Sequence, residues 1–315
     1  MNLTHFDTEA EWKSARRKLV TGSKAPVILG LSPYTTPLAL WSRDVGIVED
    51  EPQTARQRIG HHLEGAILGM LADEADVYVE PCRYTLAIHP VYPDLAYSPD
   101  GFVYPCPSDS ERMTFAETEA LCGIAEAKNR AGFMAAEAWQ DSIPADVNAQ
   151  VQLGMEVCDL PAAWVGVLLA GGEFRWAKVE RDREWFDMHR ERLLDYARRV
   201  RDEDPPEPTG HEDDRKAIVA RFPVEEEGKV VPLPADAIDL ALQYRDAQDA
   251  AKRAKLAADE CVNKLALMLG DAETGLLPGD FGKVTFKTTN CPARVQKAYS
   301  FRAPRVWLKK EKTNG

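Results

Sequence analysis

Ser98-Pro99-Asp100-Gly101 and, downstream, Glu126-Ala127-Lys128 are the stretches on which the reading of this chain turns. An aspartate followed a few tens of residues later by acid-x-Lys is the skeleton of a metal-dependent phosphodiester-cleaving site. Two carboxylates at the end of a strand pair offer hard oxygen ligands, which suit Mg²⁺ or Mn²⁺. A cation held there polarises the scissile phosphate and lowers the pKa of an attacking water. Side chains alternate along a strand, so Lys128 projects from the same face as Glu126. It can then orient the water and offset charge developing on the phosphate. Each fragment alone also has a bland reading. Ser-Pro-Asp-Gly is an ordinary turn, with Pro at i+1 and Gly at i+3. Acid-x-Lys recurs by chance in a chain with 29% charged residues.

Composition narrows the classes. The 315 residues suffice for one large domain, or for one domain and an appendage. A hydrophobic content of 44% supports a real core. No run of about 18 apolar residues occurs, which argues against a membrane span. The polar, acidic start, Met1 to Ala10, does not read as a signal peptide. Cysteines 82, 106, 122, 158, 261 and 291 are scattered without C-x-x-C. They suit free thiols in a reducing cytoplasm and argue against a zinc ribbon or an iron–sulfur cluster. The net charge of −12 argues against long nonspecific wrapping by DNA, and leaves room for a local basic groove.

Outward from the quoted stretches, the pattern predicts alternating helices and strands. A helix over Glu9 to Val20 ends in the basic cluster Lys13, Arg16, Arg17 and Lys18. Ser23 is a natural N-cap for a short apolar helix, Ala25 to Leu29. A helix start with a hydroxyl and a nearby arginine is either a phosphate site or simple capping beside a solvated basic face. Thr36-Pro37 opens the next helix. A stronger one, Arg58 to Asp73, carries the stripe Gly60, Leu63, Glu64, Ile67, Leu68 and Leu71. Glu64 within that stripe is either a partly buried ion pair or metal-associated. His61 and His62 read as surface residues. Strands follow at 77–80, 83–88, 95–98, 102–104 and 124–128, with a β excursion at 113–117. After Ile143-Pro144 a helix places Gln150 on its core face, either as an internal hydrogen bond or beside the reactive water. A hairpin turns at Gly171-Gly172, and a charged helix spans 181–203. Residues 204–234 read as a linker region after a nuclease domain, 1–203. An appendage, 235–315, follows as a long helix, 235–269, and strands at 281–287, 293–297 and 305–308.

The ordered series Gly22-Ser23, Leu29-Gly30-Leu31-Ser32-Pro33-Tyr34, Leu63-Glu64, Ser98-Pro99-Asp100-Gly101, Glu126-Ala127-Lys128, Gln150-Val151-Gln152 and Val179-Glu180-Arg181-Asp182 resembles the YqaJ-type phage recombinase nucleases. That group also holds lambda exonuclease, within the PD-(D/E)XK superfamily. The resemblance covers roughly residues 10–200. It implies an α/β (α+β) fold: a restriction-endonuclease-like core, with a central mixed β-sheet flanked by helices. It implies a Mg²⁺-dependent (or Mn²⁺-dependent) 5′→3′ exonuclease acting on double-stranded DNA ends. Such enzymes work with a single-strand annealing protein in a phage or prophage setting within the bacterial cytoplasm, and some are ring-shaped trimers. By resemblance, Asp100 and Glu126 are metal ligands, with the Ala127 carbonyl a third. Lys128 positions the water, Glu64 supports the metal site and Gln150 lies beside it. Arg16, Ser23 and Trp12 match a 5′-phosphate pocket. The spacing from Asp100 to Glu126 implies an elaborated hairpin, and 211–315 lies outside the pattern. Other readings are an endonuclease or single-strand nuclease of the same superfamily, and a non-catalytic subunit that binds DNA ends.

Overall fold

The computed structural model describes residues 2–49, 52–105, 121–130, 133–140, 142–170 and 172–290. The expected strands at 113–117, 293–297 and 305–308 lie outside them. The chain divides into two compact units, Met1–Phe222 and Pro223–Gly315.

Among the described residues the first unit holds two sheets. The smaller has four strands, β1 (Asn2–His5), β2 (Val20–Thr21), β4 (Thr85–Ile88) and β5 (Leu95–Tyr97), in the order β1-β4-β5-β2. The larger has five strands in the order β3-β6-β7-β8-β9: β3 (Val77–Pro81), β6 (Gly101–Pro105), β7 (Gly123–Arg130), β8 (Ala162–Leu169) and β9 (Phe174–Glu180). Only β7 and β8 pair in parallel within it. Ser98-Pro99-Asp100 is therefore the crossing from β5 in one sheet to β6 in the other. The mixed α/β core expected from the sequence is present.

Helices cover the large sheet on both faces. Helix α4 (Ala55–Ala75) packs Leu68 and Leu71 on Val79, Val103, Ala125 and Trp164. On the opposite face α6 (Ala145–Cys158) buries Val147, Val151 and Met155 among Ile124, Val165 and Val167. Alternate residues of β7 serve these two layers, as the period of a strand requires. Helix α7 (Arg183–Arg201) closes this layer with Leu193, Tyr196 and Val200. α1 (Glu9–Arg16) is shorter than expected and is fixed by a Thr8–Glu11 capping box. α3 (Pro37–Asp44) is capped by Thr36, as the sequence predicts.

The expected linker over 204–234 needs correcting. Glu212–Arg221 forms a helix, α8, after α5 (Phe133–Ala138) and the elements already named. α8 belongs to the first unit because Asp214 and Ala217 are buried there. Asp214 accepts hydrogen bonds from the Thr36 hydroxyl and, at 2.5 Å, from both the amide and the hydroxyl of Thr209.

In the second unit, α9 (Ala237–Leu269) runs for 33 residues, and none of them is buried. A hairpin of β10 (Thr274–Leu277) and β11 (Gly282–Thr285) follows it. Sequence reading found β11 and missed β10. No helix of the described residues is long and apolar enough to cross a membrane.

Candidate active site

Strand register brings the two acids together. β6 and β7 are antiparallel with Gly101 opposite Ala125, so Asp100, one residue before, stands alongside Glu126, one residue after. Cross-strand neighbours of this kind share a face, with Cβ atoms about 5 Å apart. The amide of Ala127 donates to Asp100 Oδ2 at 2.8 Å. Asp100 is held well above the usual carboxylate range, first by burial and then by the Glu126 charge beside it. Lys128 opposes that rise.

Glu126 is only 2% exposed and accepts three hydrogen bonds. Oε1 accepts from Lys128 Nζ and from Gln150 Nε2, both at 2.6 Å. Oε2 accepts from the Tyr97 hydroxyl at 2.5 Å. Lys128 Nζ also donates to Gln150 Oε1 at 2.9 Å. The expected shared face of Glu126 and Lys128 is thus present. Gln150, for which the sequence left two roles open, is bonded to both residues.

Tyr97 was missed by sequence reasoning. Its ring is 1% exposed, between Gly22 and Gly154. A Cβ on Gly22 would meet the ring at 2.5 Å, and one on Gly154 at 2.6 Å. These two glycines, in a turn and in mid-helix, were the available signal.

Glu64 stands apart from this network. Its nearest ionic partner is His61 Nδ1 at 3.7 Å, and no hydrogen bond joins it to Asp100 or Glu126 among the described residues. Burial is the main cause of its raised pKa, and the Glu126 charge adds to it. His61 and His62 are exposed as expected.

A cleft of about 730 Å³ exposes this chemistry, with Asp100, Gln150 and Glu64 among its lining. Trp12, Arg16 and Ser23 line the same cleft. Trp12 Nε1 donates to Ser98 Oγ at 3.0 Å, tying α1 to the residue that begins the Ser-Pro-Asp crossing. The Arg16 guanidinium lies 4.3 Å from the centre of the Trp12 ring and donates to Ser23 Oγ at 3.2 Å. Ser23 is not the N-cap expected of it. The short helix α2 (Ala25–Ile28) begins one residue later, with Lys24 at the cap and no side-chain cap bond. Its first amides are engaged as well: Lys24 N donates to Thr21 O, and Ala25 N to Gly22 O. Arg16 and the Ser23 hydroxyl, rather than free helix amides, are what this corner offers an anion.

Residues 11–161 match the family model described as YqaJ-like viral recombinase domain. The uncharacterized protein YqaJ of Bacillus subtilis (strain 168) is 27% identical over 272 residues, covering 85% of this chain and 80% of that protein. Among solved structures, an alkaline exonuclease (LHK-Exo) from Laribacter hongkongensis is 18% identical, with a TM-score of 0.47 over 62% of this chain and 93% of its own. A phage related exonuclease from Haemophilus somnus 129PT is 12% identical, with a TM-score of 0.39 over 59% of this chain and 94% of its own.

The matched range includes Trp12, Arg16, Ser23, Glu64, Asp100, Glu126, Lys128 and Gln150. The oxygens of Asp100 and Glu126 are of the kind that suits a small hard cation. Among the described residues, no group of three His, Cys, Asp or Glu side chains is placed to hold a metal ion. Mg²⁺ commonly takes only one or two protein carboxylates and completes its shell with water and phosphate oxygens. Asp100 and Glu126 supply that number. Burying two like charges side by side is costly without a counter-cation.

Proposed function

We propose that this chain is a Mg²⁺- or Mn²⁺-dependent deoxyribonuclease that degrades linear double-stranded DNA from its 5′ ends. The product is a 3′ single strand for recombination by an annealing protein. The observation that carries this reading is the Asp100/Glu126/Lys128 cluster, locked by Tyr97 and Gln150, beside a cleft that Asp100 and Gln150 line together with cationic side chains.

Asp100 and Glu126 would hold the cation with the Ala127 carbonyl, and Glu64 would support them from α4. When bound, the cation supplies Lewis-acid polarisation of the phosphate and a more acidic water. The remaining tasks fall to the chain itself. Lys128 has three N–H donors, and Glu126 and Gln150 engage two of them. The third is left to hold the attacking water or a phosphate oxygen. Gln150 fixes the direction of that ammonium, since its amide bridges Lys128 and Glu126. Tyr97 keeps Glu126 from rotating away. Arg16, with Ser23 and Trp12, would take a terminal 5′-phosphate through charge-assisted hydrogen bonds. The partners proposed are DNA ends, a single-strand annealing protein and further copies of this chain.

A linear duplex labelled at either end tests the reading. Loss of the 5′-terminal label first, only with Mg²⁺ or Mn²⁺, supports it. Release from the 3′ end, cutting of closed circles, or cleavage in chelator contradicts it. In the same assay Arg16→Ala should slow digestion of 5′-phosphorylated ends by about 10–100-fold, the scale of one lost charge-assisted bond. Digestion of 5′-hydroxyl ends should change much less, both being read at one salt concentration. Equal slowing of both would make Arg16 a general backbone contact.

A further inference from the structure

One wall of the cleft carries a series in which two aromatic rings lie between two guanidinium groups. Arg16 lies 4.3 Å from the centre of the Trp12 ring. The Trp12 and Tyr84 ring centres are 6.1 Å apart, tilted by 45°. Arg83 then lies 5.2 Å from the centre of the Tyr84 ring. All four side chains line the cleft that also contains Asp100. Among the described residues neither Arg16 nor Arg83 has an ion-pair partner. Asp100 and Glu126 attract Arg16 from a distance, and Glu9 and Glu64 attract Arg83, but the groups in direct contact with the two guanidiniums include the rings.

Tyr84 is held at a cost. Its φ is +52°, a left-handed conformation that bulky residues seldom adopt. The Tyr84 carbonyl accepts a hydrogen bond from the Phe6 amide at 3.0 Å, so the strand β1 side of the small sheet keeps it there. Core packing does not explain this strain, because the ring is only half-buried and faces the cleft. Strained residues of this kind gather at ligand clamps.

We propose that Tyr84, flanked by Trp12 and Arg83, is the stacking seat for an unpaired nucleobase at the DNA end. The seat rests on the nuclease reading of the neighbouring carboxylates. Every base has a π-face, so aromatic rings and guanidinium planes hold bases without reading sequence. Arg16, at one end of the series, is the group assigned to the terminal phosphate. A base attached beside that phosphate falls among the rings. A strand end threaded into a cleft must part from its complement, and stacking on protein replaces the stacking lost in the duplex. The seat therefore favours frayed or mismatched ends and is indifferent to which base arrives.

The test uses the full chain in chelator, where nothing is cut. A 5′-phosphorylated duplex carries 2-aminopurine either opposite a mismatch at the 5′ end or in its interior. Terminal probe fluorescence should be quenched on binding, and interior probe fluorescence should not. Tyr84→Phe should retain the quenching. Tyr84→Asn removes the ring but tolerates the left-handed backbone. It should abolish the quenching and weaken binding of the mismatched end about tenfold, as expected for one lost base stack. Arg83→Ala changes an exposed side chain and should weaken the same complex severalfold. Absence of quenching with the wild-type chain overturns the seat, as do unchanged quenching and affinity in folded Tyr84→Asn or, should that variant not fold, in Arg83→Ala. Tyr84-dependent quenching in a chain that never cleaves DNA overturns the nuclease reading alone. Cleavage without such quenching overturns the seat alone.

Discussion

Tyr97 illustrates how a residue with no expected role can set the geometry of those that have one. Its hydroxyl reaches Glu126 only because two neighbouring positions lack side chains, Gly22 and Gly154. Gly154 lies inside α6, where alanine is ordinarily favoured by about 1 kcal/mol. Here the added Cβ would sit 2.6 Å from the Tyr97 ring and 2.8 Å from Ile124 Cδ1. The overpacking should exceed the gain in helix propensity. Gly154→Ala is expected to lower stability by about 1–3 kcal/mol. It should also cut the nuclease rate at least ~10-fold, by displacing the ring from Glu126. Gly60→Ala in α4, where a Cβ meets open space, should change neither. Thermal unfolding and initial digestion rates of both variants check this, and Gly154→Ala with wild-type values of both would refute the wedge.

At the scale of elements, the sequence was most readable where local signals and burial agreed. The β6 and β7 strands, the α4 stripe and the Thr36 cap each follow a periodicity or a capping rule, and each is present. Ser23 misled because a hydroxyl before an apolar run fits the cap rule. The turn from Thr21 instead takes the first amides into its own backbone bonds, and Arg16 takes the hydroxyl. α8 was not readable because it lacks an apolar stripe, with only Asp214 and Ala217 buried. Its anchor is polar, through Asp214 to nearby Thr209 and to Thr36, which is far away in sequence. Arg221 adds a contact 5.4 Å from the Trp41 ring centre. A chain ending after Phe222 should therefore fold and retain metal-dependent cleavage. One ending after Pro208 should be less stable by on the order of 1–3 kcal/mol, since it strips partners from buried polar groups. Chemical denaturation of the two truncations decides it. Equal midpoints would return 209–222 to the status of a linker.

For the whole molecule, the net charge of −12 does not describe the surface that matters. The cleft gathers Lys13, Arg16, Arg17, Lys24, Arg43 and Arg83 around its acids. Composition averages over the chain, whereas a phosphate responds to charges within about a Debye length, roughly 10 Å at 0.1 M salt. The cation cluster was invisible in the total because its members come from the α1 region, the turn before α2, α3 and the approach to β4. They meet only once the small sheet has formed. The site acids were legible because strand register alone places Asp100 beside Glu126. Their support from Tyr97 depended on tertiary contact. The central claim is that Asp100, Glu126 and Lys128 form one catalytic centre. It is tested most directly by the digestion rate of a 5′-phosphorylated linear duplex in Mg²⁺, wild type against Lys128→Ala. With the variant shown to be folded by circular dichroism, a fall of at least ~10²-fold is predicted, the scale of losing one preorganised electrostatic stabiliser. Near wild-type cleavage by the folded variant would contradict the assignment.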